Sequence, residues 1–255
     1  METFDARVNN IIKGFRTNVE SVHKLMDFDN IVLQIAINSL EELCKRLKVN
    51  HGINNPRLTA EQTLKQIKVI REHGSMRPQY EEIFNQGVVL LVSYFGSALQ
   101  DLFEDSVEFS LSAGGQENLL NEELKMTIAE IKNRKFDLTH HVGEFLISSK
   151  NISFQDMQSI RRAFVDYLKA DPGKDEITNN IILGQACRHV IVHNGAIVSN
   201  KLLNQIQSAN PRTLKPSLVE NCKVQFTPDE VKTLGNDMLQ FVDRIIEKLK
   251  VEYNA

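Results

Sequence analysis

The chain has 255 residues, of which 42% are hydrophobic and 25% charged, a composition typical of one large globular domain or two small ones. A formal net charge of −3 excludes a global positive field for nucleic acid or anionic membranes, so RNA contacts must use local basic patches. Cys44, Cys187 and Cys222 are scattered without metal-type spacing, which favours a reducing compartment. The N-terminus lacks a signal-peptide pattern, and the densest apolar run, Val88–Val92, is too short to span a bilayer. We therefore expect a cytoplasmic protein with no membrane partner.

The first part of the chain predicts two amphipathic helices. Apolar residues recur at helical spacing from Ile31 to Leu47, after Asp29. Thr59–Gln62 has the pattern of a capping box, which would open a second helix that ends at Gly74. We place a domain boundary near Pro78, so residues 1–78 are predicted to be an additional N-terminal helical region.

The remaining residues, 79–255, are predicted to form one helical domain. Its strongest apolar element runs from Glu82 to about Phe109 and is expected to be a central helix, buried on several sides. The elements predicted after it are a weaker helix over 119–131, a helix opened by 153–156 and stopped by 171–173, a helix over Asp175–Asn194, an extended piece at 223–226, and a final helix opened by Thr227 and Pro228. This pattern predicts an all-α fold.

One segment of the predicted Asp175–Asn194 helix suggests chemistry. Residues 188–195 read RHVIVHNG, so Arg188, His189 and His193 precede a helix stop. An arginine can stabilise an anionic phosphate, and a histidine can transfer a proton near neutral pH. RNA supplies its own nucleophile, the 2′-hydroxyl, so these side chains provide what metal-free phosphodiester cleavage needs from a protein.

Spacing alone does not identify the site, and each side chain has an ordinary interpretation. Arginine–histidine pairs at similar spacing also start at Arg16, Arg46 and Arg134. Arg188 could pair with a carboxylate on a helix surface, and His193 and Asn194 could simply end a helix before a Gly195 cap. His189 and His193 could bind a metal, but no glutamate lies between them and no third ligand is evident.

The segment Arg188–His193 resembles the R-x4–6-H signature of the HEPN superfamily. That resemblance covers the motif helix and, more loosely, the helix order from Glu82 to Tyr253. It implies an all-α HEPN-type helical bundle and a metal-independent endoribonuclease in a prokaryotic defence or toxin role, with no cofactor. Arg188 would stabilise the transition state, His193 would be the general acid or base, and His189 would assist. Asn194, next to the motif, is assigned to substrate binding.

The same resemblance implies the partners. Catalytic HEPN proteins place the motif helices of two protomers side by side, and residues five apart on one helix lie about 140° apart around its axis. The long Arg188 side chain could reach back toward His193, but two copies of this helix that meet across an interface would bring more groups together with less strain, which predicts a homodimer. RNA and an antitoxin or activator protein are the other expected partners. The alternative is a non-catalytic HEPN module that binds nucleic acid, nucleotide or a partner protein.

Basic residues outside the motif have more than one interpretation. His140 and His141 follow a basic cluster that includes Arg134 and could track a phosphate backbone, although a solvated surface is the commoner role of such a run. Arg161 has the same two interpretations, a phosphate contact or an ordinary solvated surface residue. Cys187, beside Arg188, could have a depressed pKa, but a small buried hydrophobic residue is the simpler expectation.

Overall fold

The computed structural model describes residues 4–47, 55–73, 82–114, 117–138 and 140–254. These residues form helices and no strand, which confirms the predicted all-α class. The helices in chain order are α1 (Phe4–Arg46), α2 (Pro56–His73), α3 (Glu82–Ser112), α4 (Glu117–Leu120), α5 (Ile128–Asn133), α6 (Val142–Lys150), α7 (Met157–Leu168), α8 (Glu176–His193), α9 (Asn200–Ile206) and α10 (Pro228–Asn254).

Helix α3 lies at the centre of the molecule and packs against α1, α6, α7, α8 and α10. Its side chains Leu91, Phe95 and Leu102 are fully buried, as the prediction of a central helix requires. Its most apolar window has a mean hydropathy of 1.2, so by length and composition alone α3 could cross a membrane. Half of that window is buried inside the protein, as in the core helix of a helical assembly.

Helix α1 is much longer than the predicted helix over 31–47. Its first half places Val8, Phe15 and Val22 in the same core as α3 and α10, so residues before Pro78 help to form that core. The predicted boundary at Pro78 itself lies outside the described residues. The second half of α1 packs against α2 and leaves Ile35, on the predicted apolar face, 60% exposed.

The predicted start of α2 is wrong by one turn. Helix α2 begins at Pro56, and the side-chain oxygen of Asn55 accepts hydrogen bonds from the backbone N–H groups of Arg57 and Leu58. Thr59 lies inside the helix, where its hydroxyl donates to the Asn55 carbonyl. Asparagine is a strong helix-capping residue and proline suits the first helical position. The helix therefore begins after Asn55, at Pro56, and not after Thr59.

The predicted helix over 119–131 is also wrong, because the chain there forms two short helices. Helix α4 ends at Leu120 and α5 begins at Ile128, with non-helical backbone between them. Thr127 and Glu130 form a reciprocal capping box at the start of α5, which fixes the helix start well after the predicted one.

Two other helix starts are where the sequence predicts them. Asp175 caps α8 by accepting from the Thr178 N–H at 3.0 Å, and α8 ends at His193. Thr227 precedes α10 and accepts from the Glu230 N–H at 3.2 Å, while the Glu230 carboxylate accepts from the Thr227 N–H. The extended piece at 223–226 begins with an isolated antiparallel bridge between Ile197 and Lys223.

Candidate functional site

The motif residues lie in the last turns of α8, at the end where this helix reaches the surface. Most side chains from Thr178 to Val190 are buried, because α3, α7, α9 and α10 surround the helix. His189, His193 and Asn194 are exposed and Arg188 is half-buried. The motif end of α8 is therefore accessible to a substrate or a second subunit, whereas the middle of the helix is not.

Arg188 differs from the other arginines that begin similar arginine–histidine pairs. Arg16 donates to both oxygens of Asp243, at 2.8 and 2.7 Å. Arg46 donates to Glu42 at 3.0 Å, and Arg134 donates to Glu144 at 2.6 Å. Within the described part of the chain, Arg188 pairs with no carboxylate, and its Nε is buried without an acceptor. The expectation of an ordinary helix-surface ion pair is thus not met among these residues.

The two histidines stack on one face of α8. Their ring centroids are 4.9 Å apart and the ring planes are inclined by 52°, as expected for residues one turn apart. Slight desolvation, followed by the charges of Lys201, His193 and Arg188, lowers the pKa of His189. A lowered pKa keeps this imidazole neutral at pH 7, which is the form that can accept a proton.

The positions of His193 and Arg188 on one helix do not bring them to a common point. Five residues correspond to about 140° around the helix axis, so these two side chains leave α8 in different directions. A second subunit would have to supply the missing group if both are to act on one phosphate. Val192, between the two motif histidines, is 47% exposed and adds an apolar contact surface at this end of the helix.

Asn194 ends the helix, as one of its two interpretations from the sequence predicts. It is the C-cap of α8, where its N–H donates to the Val190 carbonyl at 2.9 Å. Its side-chain amide N–H donates to the Ile197 carbonyl at 3.0 Å and so ties the turn after the helix. Gly195, with φ of +57°, adopts the left-handed conformation that lets the chain turn here. One N–H of the Asn194 side-chain amide is therefore already engaged within the chain.

The remaining basic residues singled out from the sequence have local partners or lie on the surface. Arg134 contacts His141 and Glu144 and lies over the Phe145 ring, and Arg161 pairs with Asp171 at 3.0 Å. Burial raises the pKa of Cys187 to about 12, which confirms that this thiol is a buried apolar residue. Among the described residues, no group of three or more histidine, cysteine or acidic side chains could hold a metal ion.

Helix α9 packs against α8, which the sequence did not reveal. Its Lys201 is exposed, and the charge of this side chain is one of the causes that lower the pKa of His189. The sequence shows Ser199 as a capping residue before an apolar pair, but it does not show that α9 folds back against the motif end of α8.

Comparison with known proteins gives no relative: no family model, curated protein or solved structure matches this chain.

Proposed function

We propose that this protein is a metal-independent endoribonuclease that acts as a homodimer in a prokaryotic defence or toxin role. The observation that carries the proposal is the half-buried guanidinium of Arg188, which has no carboxylate partner among the described residues, beside two exposed imidazoles. A guanidinium without a carboxylate partner and imidazole side chains are groups that can stabilise a phosphorane and transfer protons. The resemblance of Arg188–His193 to the HEPN signature agrees with this chemistry and suggests a HEPN-type bundle.

Each residue has a role in the proposed reaction. The 2′-hydroxyl attacks the adjacent phosphorus, and the bond from phosphorus to the 5′-oxygen of the next nucleotide breaks. His193 acts as the general base that removes the proton from the 2′-hydroxyl or as the general acid that protonates the leaving 5′-oxygen, and water takes part in the other proton transfer. Arg188 stabilises the charge on the phosphorane oxygens, and the neutral ring of His189 assists the proton transfer. The products are a 2′,3′-cyclic phosphate and a free 5′-hydroxyl.

The direct test is RNA cleavage by the purified protein in EDTA, with identification of the new ends. Arg188→Ala and His193→Ala are each expected to reduce cleavage by at least roughly 10²-fold, the scale of a lost general acid or base or charge-stabilising group. Arg162→Ala and His140→Ala are matched controls, because both residues are exposed and lie outside the motif. Equal loss in motif and control variants, or cleavage that survives both motif substitutions, would contradict the proposal.

A non-catalytic binding module is the second candidate. The observation that favours it is the divergence of Arg188 and His193 around a single helix, which leaves an isolated chain without a converged pair. A wild-type protein that binds RNA or a partner protein but leaves RNA intact under all these conditions would support this candidate.

A further inference from the structure

The second half of α1 carries apolar side chains that the rest of the protein leaves uncovered. Six large apolar residues of this segment are between 37% and 63% exposed: Leu25, Phe28, Ile31, Val32, Ile35 and Leu43. At about 100° per residue they fall within roughly a third of the helix circumference, so they form one continuous stripe. The opposite face of the segment includes the buried Ile37, on the side where α2 packs. We call the six exposed residues the apolar stripe.

The apolar stripe is large enough to take part in a specific interface. At these exposures, its six side chains leave on the order of 500 Å² accessible, the scale of surface patches that often bind another molecule. Two such stripes covering each other would bury about 1,000 Å², and the polar side chains beside them would add to that area. A standard protein interface buries about 1,200–2,000 Å² in total.

Two opposite charges lie at the two ends of the apolar stripe. Eighteen residues, or five turns at 3.6 residues per turn, separate Lys24 from Glu42, so both lie on the same side of α1. Within the described ranges Lys24 forms no ion pair, and Glu42 binds Arg46 at 3.0 Å while its side chain stays 52% exposed. A parallel copy of α1 would bring Lys24 beside Lys24. An antiparallel copy brings Lys24 beside Glu42 at both ends, so the charges fit a second copy of this helix.

The shape of the stripe fits the same arrangement. Phe28 is 63% exposed and projects near one end of the stripe. A shallow groove lies at the other end, lined by Asn38, Ser39, Glu42, Leu43 and Arg46. The antiparallel register that pairs Lys24 with Glu42 also places Phe28 opposite Asn38, over this groove. Each copy would therefore supply one ring and one groove, which makes the surface self-complementary.

We propose that two copies of this chain associate through the apolar stripe of α1, antiparallel about a two-fold axis near Leu33. In this register Ile31 of each copy faces Ile35 of the other, and Val32 lies near its own counterpart. Because α2 packs against each α1, the two helix pairs together form a four-helix assembly. This inference does not depend on the proposed endoribonuclease function, and it uses other residues than the motif end of α8.

Sedimentation velocity of the full chain over a range of concentrations tests the interface. Wild type is expected to form dimers, or larger assemblies if α8 also pairs. Ile35→Glu places a carboxylate at the centre of the stripe and should raise the dissociation constant at least roughly tenfold. Val69→Glu is the matched control, because Val69 is 40% exposed and lies nine residues, or about 180°, from the buried Ala60 of α2. Thermal unfolding verifies that both variants fold.

Two outcomes of that experiment would overturn the interface. One is a wild-type protein that stays monomeric at every concentration. The other is an Ile35→Glu variant that associates as tightly as Val69→Glu, which would mean that any association uses a different surface. RNA cleavage is not a readout here, so neither outcome bears on the endoribonuclease.

Charge reversal tests the antiparallel orientation. Lys24→Glu and Glu42→Lys each bring like charges together at both ends, and each should raise the dissociation constant roughly three- to tenfold at low salt. The double variant restores opposite charges and should return to within about twofold of wild type. Single variants that associate as tightly as wild type, or a double variant weaker than both, would overturn this orientation.

Discussion

Within the described ranges, the buried Nε–H of Arg188 has no acceptor, and this arrangement costs stability. An unsatisfied buried donor costs about 1–3 kcal/mol, although the rest of this side chain reaches solvent and lowers that cost. We therefore predict that Arg188→Met leaves the free energy of unfolding unchanged or raises it by up to about 1 kcal/mol, while RNA cleavage is lost. Urea denaturation measures the first effect.

Arg16→Met is the matched control for that prediction. Its guanidinium binds both oxygens of Asp243, and both side chains are partly exposed, so its removal should lower the free energy of unfolding by up to about 1 kcal/mol. If Arg188→Met proves the more destabilising of the two, Arg188 is a structural residue and its proposed role in catalysis loses its main support.

His23 gives the fold a pH dependence. Its Nε2 is buried and has no hydrogen-bond partner among the residues that the structure describes, and burial, followed by the Lys232 ammonium, lowers its pKa below the usual value of about 6.5. The unfolded chain therefore binds a proton at His23 before the folded chain does. The neutral ring therefore makes its full contribution to the free energy of unfolding above about pH 6.5. That contribution falls as the pH drops below this value.

We predict that His23→Leu has a flatter stability profile than wild type between about pH 6.5 and 5. Urea midpoints at a series of pH values provide the measurement. The same slope in both proteins would show that other groups, such as the exposed His189, account for the acid sensitivity.

At the scale of helices, a glycine allows α6 to lie close against α3. A Cβ on Gly143 would be 2.7 Å from the Glu104 Cα and 3.1 Å from its carbonyl oxygen, and backbone atoms of a central helix cannot move aside easily. Gly143→Ala is therefore predicted to destabilise the protein by about 1–3 kcal/mol despite the better helix propensity of alanine.

Gly14, in the middle of α1, is the matched control. A Cβ there would have no neighbour within 4 Å, so Gly14→Ala should stabilise the protein by up to about 1 kcal/mol. Thermal unfolding of both variants checks the pair. A stabilising Gly143→Ala would mean that α6 and α3 do not lie this close.

The predicted helix starts that are confirmed are those set by local bonds. Asp175 and Thr227 each accept from a backbone N–H three residues later, so four residues of sequence determine the start. Thr59 shows the same pattern and is not a cap, because Asn55 and Pro56 open the helix one turn earlier. Local patterns identify candidates for a cap, and the competition between neighbouring candidates decides which one is used.

The candidate site was accessible to sequence analysis only in part. Arg188, His189 and His193 stand out because a side chain's chemistry and its spacing on one helix can be read directly. The absence of a carboxylate partner for Arg188 in the described residues depends on packing, as does the contact of α9 with α8. Both depend on contacts between elements, which the spacing of residues along the chain does not report.

For the whole molecule, burial limits where two subunits could meet through α8. The middle of the helix is surrounded, so a site shared through the motif would use the last turns and the exposed residues His189, Val192 and His193. If Arg188 of one subunit and His193 of the other act on one phosphate, each dimer has two composite sites. In a dimer of identical variant subunits, Arg188→Ala removes the guanidinium from both sites and His193→Ala removes the imidazole from both sites.

Mixing the two inactive variants tests this arrangement. In a heterodimer of Arg188→Ala and His193→Ala subunits, one site lacks both groups and the other retains both. Random exchange makes half of the dimers heterodimers, so roughly a quarter of wild-type cleavage should return after the subunits are dissociated and reassociated together. Each variant exchanged with itself is the control and should stay inactive. If the mixture stays inactive although mass spectrometry detects heterodimers, the two groups act from the same subunit. The Arg188 side chain would then have to reach around α8 toward His193 within one chain.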